Sequence, residues 1–402
     1  MLWQREIWSI EYSTSLDLPE LGGQRILRRT AGGSVAHSHR AVKNLSELRD
    51  VPESEQRERG YHHTLREILQ QPATWLETAD LVGRSAVSLD GEGPVLLTGS
   101  GSSHYIGESL EPVLARSLGR PVRAVPAGTL LTDGESYVFE GPPGTLVSFA
   151  RSGDSPESCG VVDWFFERAP AWRQVLVTCN REGALATRYA GRRTASLVLL
   201  PDRTNDRSLV MTSSFTNLWL AGRILGGSIP DVASLARRAE SLFESDVSSL
   251  YSAGASAFEN AVYLGSGVRY GAAREAALKM LEMTDGEVPT FAESFLGLRH
   301  GPMCALRETS LLVGFLSSEE PHRSYERDLL KELADKGVRP RTLLVGREGD
   351  VGFDLDDDDA AVLDVVVGQL LGFFRSLALG LRPDAPSASG VISRVVRGFD
   401  IH

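Results

Sequence analysis

The chain has 402 residues, 42% hydrophobic and 24% charged, with a formal net charge of −11. That length buries one large core or two ordinary ones. No run approaches the roughly 18 apolar residues of a membrane span, and the acidic balance argues against general nucleic-acid binding, which needs a basic surface.

Met1 to Ile10 mixes Trp3, Arg5, Glu6 and Trp8 and has no apolar stretch of the signal-peptide kind. Residues 1–60 read as a poorly structured leader: Gly22-Gly23, Gly32-Gly33 and the polar run Glu53 to Arg59 show no sustained periodicity. A chain starting near Val51 is expected to keep full activity. Residues 61–90 form a helical segment through Leu65, Ile68, Leu69, Trp75 and Leu76, interrupted at Pro72.

A first α/β domain is expected over 91–232. The pattern predicts strands at Val95 to Thr98, Val122 to Val125, Leu146 to Ala150, Val175 to Thr178 and Leu197 to Leu200, and helices at Tyr105 to Leu118 and Glu157 to Arg168. Helical stretches near Leu209 to Leu225 and Ser234 to Ala257 bridge to a second domain, 233–402. There the predicted strands are Ala261 to Leu264, Leu311 to Leu316, Thr342 to Val345 and Val362 to Val366. Helices are predicted at Tyr270 to Met283, Ser324 to Lys336 and Gln369 to Leu381. Apolar strands alternating with helices imply parallel sheets covered on both faces. The run Asp356 to Asp359 reads as a solvated turn rather than a metal site. Cys159, Cys179 and Cys304 form no close pair, so neither a zinc site nor a disulfide framework is indicated, and a reduced cytoplasmic protein is expected.

The two domains repeat each other. The stretch Val95 to Gly101 ends on Gly-Ser-Gly and is matched by Val262 to Gly267, with the cores Gly99 and Gly265 offset by 166 residues, and Leu146 to Ser152 returns as Leu312 to Ser318 at the same offset. Two matches in one register indicate duplication. In an open α/β sheet the strand-to-helix turn sits at the carboxyl edge, where ligands bind, and a helix N-terminus there favours anions. Three hydroxyl-rich turns stand at such junctions: Gly99 to Ser103, Arg151 to Glu157, and Met211 to Ser214. They can converge on one phosphomonoester, although Ser155 before Pro156 is also explained as an ordinary helix cap. The matching turn of the second domain, Ser317 to Glu320, is acidic and would repel an anion. That domain instead carries Glu275, Lys279 and Glu282 on one helical face. The choice is between a surface Glu–Lys–Glu ladder and a buried functional cluster. His300 lies in a Gly-Pro loop, which by itself suits a solvent-facing side chain as well as a catalytic one.

In these residues the chain resembles the sugar isomerase (SIS) superfamily. The paired Gly-Ser turns, Glu-x-x-x-Lys-x-x-Glu and the His-Gly-Pro loop occur in the same order in the isomerase half of glucosamine-6-phosphate synthase. The chain is more similar to the tagatose-6-phosphate ketose/aldose isomerase family, also described as galactosamine-6-phosphate deaminase/isomerase. That similarity rests on Ser152-Gly153-x-Ser155-Pro156-Glu157-Ser158, Met211 to Ser214, Leu298-x-His300-Gly301-Pro302 and the tail Pro386 to Gly390, and it runs from about Tyr61 to His402. It implies an α/β fold of two tandem SIS domains, each a roughly five-stranded parallel sheet flanked by helices in a flavodoxin-like three-layer sandwich.

By position, the resemblance implies that Ser102, Ser103, Ser152 and Ser155 hold a sugar phosphate, with Arg151, Thr212 and Ser213 beside them. Glu282 corresponds to the base that moves a proton between C2 and C1, with Lys279 adjacent and Glu275 the alternative. His300 corresponds to the ring-opening residue lent across a subunit interface, so a homo-oligomer, dimer or tetramer, with a shared site is expected. Arg151 stands where the synthase has glutamine, and the tail lacks the synthase's lysine. The implied activity is deaminating isomerisation of galactosamine 6-phosphate to tagatose 6-phosphate. The alternatives are ketose/aldose isomerisation without deamination and a non-catalytic sugar-phosphate sensor. No metal, flavin or nicotinamide is required.

Overall fold

Alternation of apolar side chains along short strands decides which face of each sheet meets which helices. The computed structural model describes residues 45–138, 141–398 and 400–402. All of these belong to one compact unit, Ala41–His402. The part of the leader before Leu45 lies outside the described residues.

Helices α1 (Ser46–Arg49), α2 (Glu53–Arg59), α3 (His62–Leu69) and α4 (Gln71–Gly83) come first. The sequence reading leaves 46–59 in the leader, but Leu45 and Leu48 are buried in the main core. The Gln56 amide donates to the carbonyls of Leu48, Arg49 and Val51 at 3.3, 2.9 and 2.7 Å, closing this turn with side-chain bonds that leave no periodic signal.

The first sheet follows in the order β1 (Val95–Gly99), α5 (Ser102–Leu118), β2 (Val122–Pro126), α6 (Ala127–Asp133), β3 (Thr145–Ala150), α7 (Pro156–Arg168), β4 (Arg173–Thr178), α8 (Ala184–Thr187), β5 (Ala195–Leu199). Helices α9 (Ser213–Leu225), α10 (Val232–Ser241) and α11 (Val247–Gly254) lead to β6 (Asn260–Leu264), α12 (Val268–Met283), β7 (Thr290–Glu293), β8 (Ser310–Phe315), α13 (His322–Asp335), β9 (Arg341–Val345) and α14 (Asp357–Ala378).

All pairings within these sheets are parallel, in the orders β2-β1-β3-β4-β5 and β7-β6-β8-β9. In each sheet the strand order reverses at the first strand, the switch point where open α/β sheets hold ligands. In the first sheet that point lies between the turns after β1 and β3.

The inner faces share one continuous core. Val95, Leu97, Val147 and Val175 meet α5 and α9, while Tyr263, Val313 and Phe315 meet α12 and α14. The alternate residues Leu96 and Leu146 pack outward with Phe165, and Val262 and Leu312 with Leu329. Two indole N–H groups inside this core are paired: Trp219 Nε1 donates to Ser109 Oγ at 3.0 Å, and Trp75 Nε1 to Thr216 Oγ1 at 2.9 Å.

Two expectations are corrected. The second sheet has four strands, of which β7 is the one not expected, but Val362–Val366 is not among them: it lies inside α14. The apolar run there is far longer than a strand, and Asp356 caps it by accepting from the Asp359 N–H at 2.8 Å. Asp357 to Asp359 in the first turn complement the helix dipole, so the acidic run is a helix start rather than a free turn. By length and composition α14 could cross a membrane, but 89% of its most apolar window is buried inside this chain as a core helix. Conversely, β7 gives no sequence signal: Thr290–Glu293 is a short, half-buried edge strand.

Candidate active site

The first turn enters α5 through Gly101, whose φ of +56° is open to glycine at little cost. This brings Ser102 and Ser103 to the start of the helix, both buried. Ser103 Oγ lies 3.8 Å from Met211 Sδ, so the first and third hydroxyl-rich segments touch.

In the second turn Ser152 Oγ accepts from the Asp154 N–H at 3.3 Å. Ser155 caps α7, accepting from the Ser158 N–H at 3.3 Å, with its hydroxyl 2.7 Å from that of Ser158. The ordinary cap therefore accounts for Ser155.

The third turn is organised from below by Asp206. Its carboxylate accepts the Thr212 N–H at 2.8 Å, the Ser213 hydroxyl at 2.5 Å, and the Ser214 N–H and hydroxyl at 2.8 and 2.6 Å. The Ser213 hydroxyl is thereby committed. The Thr212 hydroxyl is buried with no partner among the described residues.

Arg151 does not face an open anion site. Its guanidinium donates to the carbonyls of Ser208, Leu209 and Val210 at 3.3, 2.9 and 3.1 Å and to that of Arg394 at 2.6 Å. Arg394 in turn donates to the Asp206 carbonyl at 2.8 Å. Arg151 thus straps the second turn, the third turn and the C-terminal tail together. Burial pulls its pKa down, and four carbonyl acceptors are what keep a buried guanidinium tolerable.

The Glu–Lys–Glu face is interior rather than a surface ladder. Lys279 and Glu275 are fully buried and Glu282 is partly exposed. Lys279 Nζ sits 2.5 Å from Glu282 Oε2, 3.3 Å from Glu275 Oε1, and donates to Ser102 Oγ at 3.1 Å. It therefore connects the helix of the second half to the first turn of the first half. Burial opposes the charge on Lys279, but the two carboxylates outweigh it and raise its pKa. Burial likewise pushes Glu275 up to about 7 against the pull of Lys279, and neither Glu275 oxygen has a hydrogen-bond partner among the described residues. The tight partner of the ammonium is Glu282.

His300 ends a 3-10 turn, Gly297–His300, and is exposed. It makes no hydrogen bond or ion pair among the described residues. Within one chain, then, Ser102, Glu275, Lys279 and Glu282 come together, Ser103 joins the third segment, and His300 stands outside the cluster. Sequence reasoning missed Asp206, whose capping of the third turn from outside the helix follows no fixed spacing. It also missed Glu67, which accepts from the Arg207 N–H at 2.5 Å and from the Ser208 N–H at 3.3 Å.

No family model matches the chain. It is 40% identical to AgaS of Streptomyces coelicolor over 367 residues, 85% of this chain and 95% of that protein. It is 33% identical over 367 residues to D-galactosamine-6-phosphate deaminase AgaS of Escherichia coli, 84% of this chain and 95% of that protein. Among solved structures, the tagatose-6-phosphate ketose/aldose isomerase of Escherichia coli matches with a TM-score of 0.75 at 31% identity, covering 84% of this chain and 96% of its own. With similarity of this extent laid over two parallel sheets and a shared core, the chain belongs to the D-galactosamine-6-phosphate deaminase AgaS family of sugar isomerase proteins.

Proposed function

We propose that the protein converts D-galactosamine 6-phosphate and water to D-tagatose 6-phosphate and ammonia. The observation that carries this reading is the Lys279 ammonium, held at once by Glu282 and by Ser102 of the first turn. A carboxylate poised beside a serine-rich anion turn suits proton transfer on a sugar whose phosphate occupies that turn. Glu282 takes the C2 proton of the open-chain aldehyde, the electron pair moves to O1, and O1 takes up a proton from water, giving an enaminol. Return of the proton to C1 gives the C2 imine. Water adds at C2, and the C–N bond breaks to leave the ketone and ammonia. The step asks for one positioned base, worth about 10²–10⁴ in rate.

Ser103 and Ser152 hold the phosphate in this reading, with Ser102 oriented by Lys279. Arg151 and Ser213 act by shaping the turns. His300, exposed, serves ring opening in a second copy of the chain. Mixing inactive Glu282→Gln and His300→Ala chains should then restore part of the activity.

The test of the reaction is a panel of hexosamine and hexose 6-phosphates assayed for both ammonia and ketose. The expected result is equimolar ammonia and ketose from galactosamine 6-phosphate. Ketose formed from hexose phosphates alone would replace this reading with simple isomerisation. Binding without turnover would replace it with a sensor.

A further inference from the structure

A cavity of about 280 Å³ lies against the outer side of the third turn, between α3 and the loop 202–207 that follows the edge strand β5. No residue of the turns after β1 and β3 lines it. Its charges do not cancel. Arg203 is taken up by Glu77 at 2.9 and 2.5 Å, and Asp202 faces Arg181 at 3.5 Å. Glu67 spends its oxygens on the N–H groups of Arg207 and Ser208 and on the Ser208 hydroxyl. Burial, and then the neighbouring Asp206, push that carboxyl up to about 8, towards its neutral form.

The cations left over are Arg66 and Arg207. Both line the cavity, and among the described residues neither side chain makes a hydrogen bond or an ion pair. Both guanidiniums are exposed at the mouth of this cavity, and no described carboxylate neutralises either of them. In a chain of net charge −11 they form a local positive focus that the rest of the surface opposes. The planar fork of each guanidinium matches two oxygens of a tetrahedral dianion.

We propose that this cavity is a second anion site, which takes the phosphoryl dianion of a phosphate monoester or of inorganic phosphate. The site communicates with the third turn. Gln70, on its wall, donates through Nε2 to the Arg203 carbonyl at 2.8 Å and to Ser213 Oγ at 2.9 Å. Ser213 donates to Asp206, which holds the N–H groups of Thr212 and Ser214. Occupancy therefore tightens the segment that touches Ser103.

The test uses the full chain with the first and second turns weakened by Ser103→Ala and Ser152→Ala, so that it does not depend on turnover. Inorganic phosphate and galactosamine 6-phosphate are titrated separately by calorimetry. The same titrations are then run after adding Arg66→Gln and Arg207→Gln, with circular dichroism to establish folding. The expected result is one phosphate equivalent per chain that weakens at least tenfold on the arginine changes. Amide exchange over residues 206–214 should slow with phosphate only when both arginines are present. If inorganic phosphate binds as well as the sugar ester, the site reads the phosphoryl group alone; tighter binding of the ester assigns it to a monoester. Absence of this equivalent, or its survival in the folded arginine variant, overturns the site. Unchanged exchange over 206–214 on binding overturns its link to the third turn.

Discussion

The turns after β1 and β6 have the same backbone and different contents. Gly101 and Gly267 adopt φ, ψ of +56°, −127° and +57°, −128°. In the first half the position two residues later is Ser103, with its hydroxyl near Met211. In the second half it is Arg269, which fills the turn and pairs in bidentate fashion with Asp364 at 2.7 Å on both branches. The second-strand turn is likewise closed. Glu326 accepts the Ser317 N–H at 2.8 Å and its hydroxyl at 2.9 Å, so the anion is built into the chain.

The helices that leave these turns meet each other at equivalent places. Arg274 on α12 pairs with Glu108 on α5, 166 residues earlier. A Cβ on Gly271 would lie 2.4 Å from the Ser109 nitrogen, which shows how closely the two helices approach. One copy of the duplicated unit kept an open polar turn. The other satisfied its own turns with buried charge pairs and became the scaffold that aims Lys279 and Glu282 across the join.

The largest effect that can break this division of labour is on turnover. Glu282→Gln keeps shape and hydrogen bonding but cannot accept the C2 proton, so kcat should fall by about 10²–10⁴ with sugar-phosphate binding nearly unchanged. Exchange of the C2 hydrogen with solvent deuterium should stop as well. Exchange at the wild-type rate would make Glu282 a structural partner of Lys279 and pass the role of base to Glu275.

Next comes stability in the closed turn. Arg269→Ala leaves the Asp364 carboxylate buried without its cation, and burial already raises that group to about 6 against the pull of Arg269. Such a break costs about 3–5 kcal/mol, measurable by urea unfolding. A loss below about 1 kcal/mol would mean that the second-half turn is not held by this pair.

The open turn should behave in the opposite way. Ser103→Ala with Ser152→Ala should leave the urea midpoint nearly unchanged and raise KM more than tenfold, since a hydrogen bond to a charged group is worth about 1.5–3 kcal/mol. An unchanged KM in the folded double variant would remove the phosphate from these turns.

The smallest effect is a pH dependence. Glu275 is raised from its ordinary 4.5 to about 7, so the folded protein holds a proton there that the unfolded chain has lost. Its contribution to stability is complete below about 4.5 and fades as pH rises through about 7. Glu275→Gln has no such titration, so wild type should lose about 1–3 kcal/mol relative to the variant between pH 5 and 8. Parallel stability curves for the two proteins would show that Glu275 is already ionised beside Lys279 at pH 5.

The candidate residues were legible where they depend on local pattern. The Gly-Ser turns, the Ser155-Pro156 cap and the i, i+3, i+4 spacing of Glu275, Lys279 and Glu282 each lie within a few residues. The bonding of Arg151 was not legible, because its partners, the main-chain carbonyls of Ser208 to Val210 and Arg394, lie far along the chain. Val362 to Val366 has strand-forming side chains, yet it is helical because the apolar stretch continues through Phe374 and is buried along its length beside α12.

The sequence by itself determined the alternating strands and helices, the duplication and the hydroxyl-rich character of three turns, since side-chain periodicity and turn chemistry act over a few residues. Only the tertiary structure decided which copy stays open. Lys279 reaches Ser102 across 177 positions of chain and Arg269 reaches Asp364 across 95. Contacts of that range depend on how sheets and helices pack, and buried charge settles wherever packing supplies a partner.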